Sequence, residues 1–339
     1  MVIRLPRWSK KFAYKSRKDA LRLANTLVGQ VNFVHHNSIV NKCFTIEAPV
    51  ALKSMNLVEH IRSLPLHSVQ LARSAHAHAW VQCYRETGAQ DTSSVPLVLL
   101  HGIGSGSASW VCQLDAGALQ ARGRVLAWDA PGYAQSAPVN SAQPMAQDYG
   151  QRLWDWLDVM GISQVRLVGH SLGCIMAAGA ARLQPQRVVS LTLLAPAQGY
   201  GQASEEVRNQ KRDARLQALA THGAEKLAQL RGPALLSSHA TAQQVALAVH
   251  MMSQIQPAGY IQATHLLAQA DILADLQTLR AASSLPMTVA CGQLDSITPA
   301  PACRALAQAV GAHYVSLGDV GHLCALQAGA AVNNLLQLT

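Results

Sequence analysis

The stretch "VRLVGHSLGCIMAAGAA", Val165–Ala181, runs from a short apolar segment into Gly169-His170-Ser171-Leu172-Gly173 and then into a chain of small residues. An apolar strand directly before a serine and a small-residue helix directly after it form the setting that a G-x-S-x-G turn requires. The turn is too sharp for bulk two positions before or after the serine, and Gly169 and Gly173 meet that demand. It would lift the Ser171 hydroxyl to the carboxyl edge of a sheet. The backbone N–H of Leu172, at the helix N-terminus, would then face the place where an oxyanion forms. By itself the motif leaves an ordinary hydroxyl in a glycine-rich turn as the alternative.

A serine hydroxyl is a weak nucleophile, so the pattern calls for a histidine base and an acid that fixes its tautomer, each just beyond a later strand. "PMTVACGQLDSITP" sets Asp295 after a buried strand, and "HYVSLGDVGHLCALQ" sets His322 after the last one, 27 residues further on. Asp319 is a rival acid, but it follows the last strand too directly to hold the imidazole from the opposite side. Thr298, just before Pro299, reads as a helix cap, which frees Asp295 from that duty. "LLHGIGSGSASW", Leu99–Trp110, exposes backbone N–H groups at the same sheet edge, with Ile103 as the second oxyanion donor and His101 bonded within the loop. The loop lacks the Gly-Lys-Ser/Thr ending of a P-loop, and Ala108-Ser109 breaks a dinucleotide fingerprint.

Outward from these motifs, short apolar runs alternate with helical stretches, the mark of a mostly parallel sheet flanked by helices. "LHSVQLARSA" and "HAWVQCYRET" open the pattern as a hairpin. Strands follow at 96–100, 124–129, 165–169, 188–196, 286–292 and 313–318, and a helix Leu323–Leu338 closes the chain. Residues 197–280 contain no strand pattern, only Ala- and Gln-rich helical sequence, and read as a lid subdomain set into a core of residues 66–196 and 281–339.

The chain has 339 residues, 50% of them hydrophobic, enough for a large core. Its net charge of +9 would suggest a nucleic-acid or membrane partner if it were spread over the fold. Residues 1–65, however, hold 11 Lys and Arg against three acids, so +8 belongs to this N-terminal extension and +1 to the rest. The extension reads as a disordered basic arm, a transit-like peptide, or translation from a start upstream of the true one near Met55. No run of 18 apolar residues marks a membrane span, no secretory leader pattern is present, and seven scattered cysteines lack a C-x-x-C. These features predict a cytoplasmic protein with reduced thiols. His76 and His78 lie on one face of a strand without a third ligand, so no metal is expected.

Taken together, "HGIGSGSASW", "WDAPGYAQS", "GHSLG", "GQLDSITP" and "DVGHL" make the chain from about Leu66 onward resemble the α/β-hydrolase family. The resemblance implies Ser171 as nucleophile, Asp295 as acid, His322 as base, and the N–H groups of Ile103 and Leu172 as the oxyanion hole, with no cofactor. The family turn D-x-P-G-x-G-x-S carries Ala134 here in place of its second glycine. A weaker similarity points to the branch of 3-oxoadipate enol-lactonases and small esterases. The implied substrate is a small-molecule carboxylic ester or lactone. C–C bond hydrolysis of a ring-cleavage product, acyl transfer with the same triad, and a non-catalytic binding protein stay open, as does homo-oligomer formation. Arg208, Lys211, Arg212 and Arg215 on the lid would either greet an acidic substrate or form a solvated helix face.

Overall fold

A computed structural model describes residues 56–71, 80–90 and 94–339. The first 55 residues and the His76/His78 pair lie outside the described residues. Eight strands form one sheet in the order β1-β2-β4-β3-β5-β6-β7-β8. They are β1 (His67–Leu71), β2 (Trp80–Thr87), β3 (Leu97–Leu100), β4 (Val125–Trp128), β5 (Val165–His170), β6 (Val188–Leu194), β7 (Met287–Cys291) and β8 (His313–Ser316). β2 pairs antiparallel with both β1 and β4, as the expected hairpin requires, and the pairs from β4 through β8 are parallel.

Strands β3, β5 and β7 are buried at every position, which is why they read as continuous apolar runs rather than alternating ones. Their side chains nonetheless alternate between two cores. Val98, Leu100, Leu126, Trp128, Val165 and Leu167 join one cluster, and Leu97, Leu99, Val125, Ala127 and Val168 join the other. The first core is covered by α2 (Ala146–Val159) and α3 (Leu172–Leu183), the second partly by α1 (Leu57–Ser63). Residues 57–63, assigned by sequence to the N-terminal extension, thus form a helix that seats Leu57 and Ile61 in the core.

Between β6 and β7 lie α4 (Glu205–Arg231), α5 (Ala242–Ser253), α6 (Pro257–Gln269) and α7 (Ile272–Ala282), and no strand. The last of these is a flank of the sheet rather than a cover: Ile272, Leu276 and Leu279 enter the first core, and Asp275 pairs with Arg182 of α3. The helical insertion therefore ends, as a cover, before α7. Its apolar period has the same form whether a helix roofs a cavity or flanks a sheet. Beyond β7 come α8 (Ala300–Ala309), α9 (Cys324–Gln327) and α10 (Gly329–Leu338). The expected single closing helix is broken at Ala328. A Cβ on Gly329 would sit 2.7 Å from the Cβ of Cys112, so the chain turns where only glycine can approach.

β3 has β4 on one side and β5 on the other. The chain thus leaves β3 and β5 toward opposite faces, opening a crevice beyond their carboxyl ends. Ser171 follows β5 and the loop from His101 follows β3, so topology alone puts both at that crevice.

Candidate active site

Ser171 sits at φ 54°, ψ −117°, one of three non-glycine residues with positive φ among those described. The turn is locked from both sides. Its N–H donates to Leu194 O at 2.9 Å, and its carbonyl accepts from Cys174 N at 3.0 Å and Ala197 N at 3.2 Å. A Cβ on Gly169 would lie 2.5 Å from Gly173 O, and one on Gly173 would lie 2.1 Å from Leu100 O. Both glycines are therefore demanded by close backbone approach, as the motif predicted.

His322 Nδ1 lies 2.9 Å from Asp295 Oδ2, with the two side chains 5% and 0% exposed. A carboxylate accepts, so Nδ1 carries the proton and Nε2 is left with its lone pair. Asp295 is oriented by its own loop. Its Oδ1 accepts from Ile297 N at 2.8 Å and Thr298 N at 2.9 Å, and its Oδ2 accepts from Thr298 Oγ1 at 2.8 Å. Burial pushes the Asp295 carboxyl up, but the bonds from His322 and Thr298 outweigh it and hold the group below the usual carboxylate range. Asp319 is exposed, and its carbonyl accepts from Ser237. The acid bonded to His322 is therefore Asp295.

Thr298 departs from the reading of it as a cap. Helix α8 begins at Ala300 with Pro299 at its N-cap and no side-chain cap bond. The Thr298 hydroxyl instead lies within reach of Asp295 Oδ2, His322 Nδ1 at 3.2 Å and Ala195 O at 3.1 Å. A hydroxyl one turn short of a helix is a common cap, and nothing local in the sequence tells the two uses apart.

Two more histidines lie close by. His170 donates Nε2–H to His322 O at 2.8 Å, and its ring centroid is 5.0 Å from that of His322. Burial, reinforced by His322, pushes its pKa down to about 3, so it stays neutral. His101 accepts from Ala130 N at Nε2 (2.9 Å), so its Nδ1–H donates to Gly102 O (2.8 Å); it bonds within the loop, as expected. Burial lowers its pKa as well.

Ser171, His322, Ile103 and Leu172 line one cavity of about 560 Å³. Leu172 opens α3, so its N–H has no acceptor inside the helix. The carbonyl of Ile103, in the next peptide along from its N–H, is held by buried Tyr133, whose hydroxyl donates to Ile103 O at 2.8 Å. Tyr133 lies in "WDAPGYAQS", which the sequence marked only as a structural turn. In that turn Ala134 adopts φ 48°, a left-handed conformation that favours glycine. Met252 lines the cavity, whereas its neighbour Met251 packs in the second core. Among the described residues no group of three or more His, Cys, Asp or Glu could hold a metal ion, and no helix is long and apolar enough to cross a membrane.

Several known proteins share parts of this chain. It is 38% identical over 108 residues to the dihydrolipoyllysine-residue acetyltransferase component of the acetoin cleaving system of Pseudomonas putida, a match covering 32% of this chain and 28% of that protein. It is 37% identical over 100 residues to the 2-hydroxy-6-oxononadienedioate/2-hydroxy-6-oxononatrienedioate hydrolase of Cupriavidus pinatubonensis, covering 29% of this chain and 35% of that protein. The chain thus spans about a third or less of these relatives. Across the fold, a thermophilic esterase from Thermogutta terrifontis superposes with a TM-score of 0.69 at 22% identity, covering 80% of this chain and 97% of the other. The enol-lactonase from Burkholderia xenovorans follows at 0.66 and 22%, covering 76% and 95%. The alpha/beta hydrolase fold family matches residues 95–328, from the start of β3 to the end of α9. By that match and the sheet that carries it, the chain belongs to the α/β-hydrolase fold family.

Proposed function

We propose that this protein is a serine hydrolase that cleaves a small carboxylic ester or lactone through an acyl-enzyme on Ser171. The observation that carries this reading is the buried 2.9 Å bond from His322 Nδ1 to Asp295 Oδ2, with His322 facing the cavity in which Ser171 stands on its positive-φ turn. His322 Nε2 takes the proton from Ser171 Oγ as that oxygen bonds to the substrate carbonyl carbon. The N–H groups of Ile103 and Leu172 hold the oxyanion. The alkoxide leaves with the proton from His322, giving the acyl-enzyme. Water then yields a proton to His322 and its oxygen to the carbonyl, and the proton returns to Ser171 as the acid departs. Asp295 stays ionised throughout and stabilises the imidazolium. No step calls for a cofactor.

A second reading keeps the triad and changes the bond. The similarity to an acetyltransferase component and to a dienedioate hydrolase favours acyl transfer or C–C bond hydrolysis as the alternative. A cytoplasmic setting goes with either reaction and is supported by six free cysteines among the described residues.

The test is a fluorophosphonate probe together with a panel of p-nitrophenyl esters. Wild type is expected to label and to turn over short acyl esters, Ser171→Ala to do neither, and Asp295→Asn to lose about 10³–10⁴-fold in kcat by favouring the wrong tautomer. Equal labelling of Ser171→Ala would sink the nucleophile assignment, and no labelling of wild type would favour a non-catalytic binding protein.

A further inference from the structure

Arg215 and Arg231 line the cavity that holds Ser171 and His322. Both belong to α4 and both are half-buried. Of the basic run seen in the sequence only Arg215 reaches the cavity. Arg212, three residues before it, is taken up by Asp213 at 2.7 Å and Asn209 at 2.9 Å. Among the described residues neither Arg215 nor Arg231 has a hydrogen-bond or ion-pair partner, and none of the residues lining the cavity is an Asp or Glu.

Their presence in one cavity depends on the backbone of α4. The two arginines are sixteen residues apart, so a straight helix would carry their Cα atoms about 24 Å from each other. Helix α4 is broken at Gly223, with φ 67° and ψ 173°, and each of its two halves contributes one arginine to the cavity lining. That backbone conformation is one a residue with a Cβ rarely adopts, so glycine is what permits the break.

Two half-buried cations without a protein partner, in a cavity whose lining includes Leu235, Met252, Leu267 and Ile297 and no acid, lack the full hydration of open solvent. A planar fork of donors with nothing to bind inside the protein is suited to a carboxylate or a phosphate brought by a ligand. We infer that the substrate carries an anionic oxyacid group, a carboxylate or a phosphate, which Arg215 and Arg231 hold while the scissile carbonyl lies at Ser171. The substrate class is a hemi-ester or a lactone of an acid whose short apolar spacer ends in that anion. This rests on the hydrolase reading for the bond that is cut, and not for the binding of the anion.

The experiment is calorimetric titration of Ser171→Ala with monoethyl glutarate, with its neutral partner diethyl glutarate, and with the phosphonate counterpart of the monoester. A charged ester is expected to bind at least about tenfold more tightly than the neutral one, the scale of one charge-assisted bond. That ratio should shrink to under about threefold when Arg215→Gln and Arg231→Gln are added, singly or together. The tighter of the carboxylate and phosphonate ligands names the group. Equal binding of charged and neutral esters, or a ratio that survives both substitutions, overturns the proposal. Wild-type turnover of the p-nitrophenyl analogues is read separately. Charge-selective binding without turnover would fail the hydrolase reading alone, and turnover without charge selectivity would fail the anion site alone.

Discussion

Ser171 holds φ 54° and ψ −117°, a conformation that costs an L-residue with a Cβ about 1–3 kcal/mol. Nothing about a hydroxyl requires this backbone; the requirement comes from the turn that aims it. Ser171→Gly should therefore raise the unfolding free energy by about 1 kcal/mol while abolishing ester turnover, read as a higher urea midpoint at unchanged slope. A lower midpoint would mean that the serine is not strained. At this scale the motif residues were legible because each has a local signature: an apolar run, a glycine pair, an acid or a histidine just past a strand. Tyr133 was not, because its hydroxyl reaches back 30 residues to Ile103, and Thr298 was not, because a hydroxyl bonded to an acid three residues before it reads in sequence like a helix cap.

At the scale of elements, α6 meets the core through two glycines. A Cβ on Gly259, in its first turn, would lie 2.1 Å from Gly132 O and 2.4 Å from Gly132 C, all backbone atoms that cannot step aside. Helix α6 also contributes Tyr260 and Leu267 to the cavity wall. Gly259→Ala should accordingly cost about 1–3 kcal/mol of stability and raise KM more than it lowers kcat, since the wall shifts while Asp295 and His322 stay in place. Unfolding in urea and a substrate titration check both halves, and a variant with native stability would show that the contact is loose. The strands and the helices α2, α3 and α8 could be placed from sequence because periodicity is local. The true extent of the cover could not, since α7 becomes a flank of the sheet only through the partners it finds, Arg182 and the first core.

For the whole molecule, the buried histidines set the response to acid. The pKa of His170 is pushed down to about 3, so between its ordinary value near 6.5 and about 3 the unfolded chain binds a proton that the folded one refuses. Stability is therefore full above pH ~6.5 and falls as pH drops through that window, by up to about 1.4 kcal/mol per pH unit from this group. His101 is shifted the same way and adds to the loss. Asp295 is depressed as a carboxylate, so its stabilisation is present above the ordinary aspartate value and disappears only as pH falls through its lower folded one. The urea midpoint should thus hold from pH 8 to 7 and decline steeply from 6 to 4. In His170→Gln the decline should be shallower whatever the variant's starting stability, and an unchanged slope would refute the assignment.

The sequence by itself determined the strand and helix order, the glycine-framed serine, and the presence of acids and a histidine just past late strands, since each follows from local sterics or from short-range periodicity. Only the tertiary structure decided that Asp295 rather than Asp319 meets His322. It also revealed Thr298 and Tyr133 behind the site, and it put Arg215 and Arg231, on either side of the break at Gly223, in the lining of one cavity. These facts depend on which residues come together in space. Chain closure over tens to hundreds of residues, driven by burial of apolar surface, leaves no mark in any short window of the sequence.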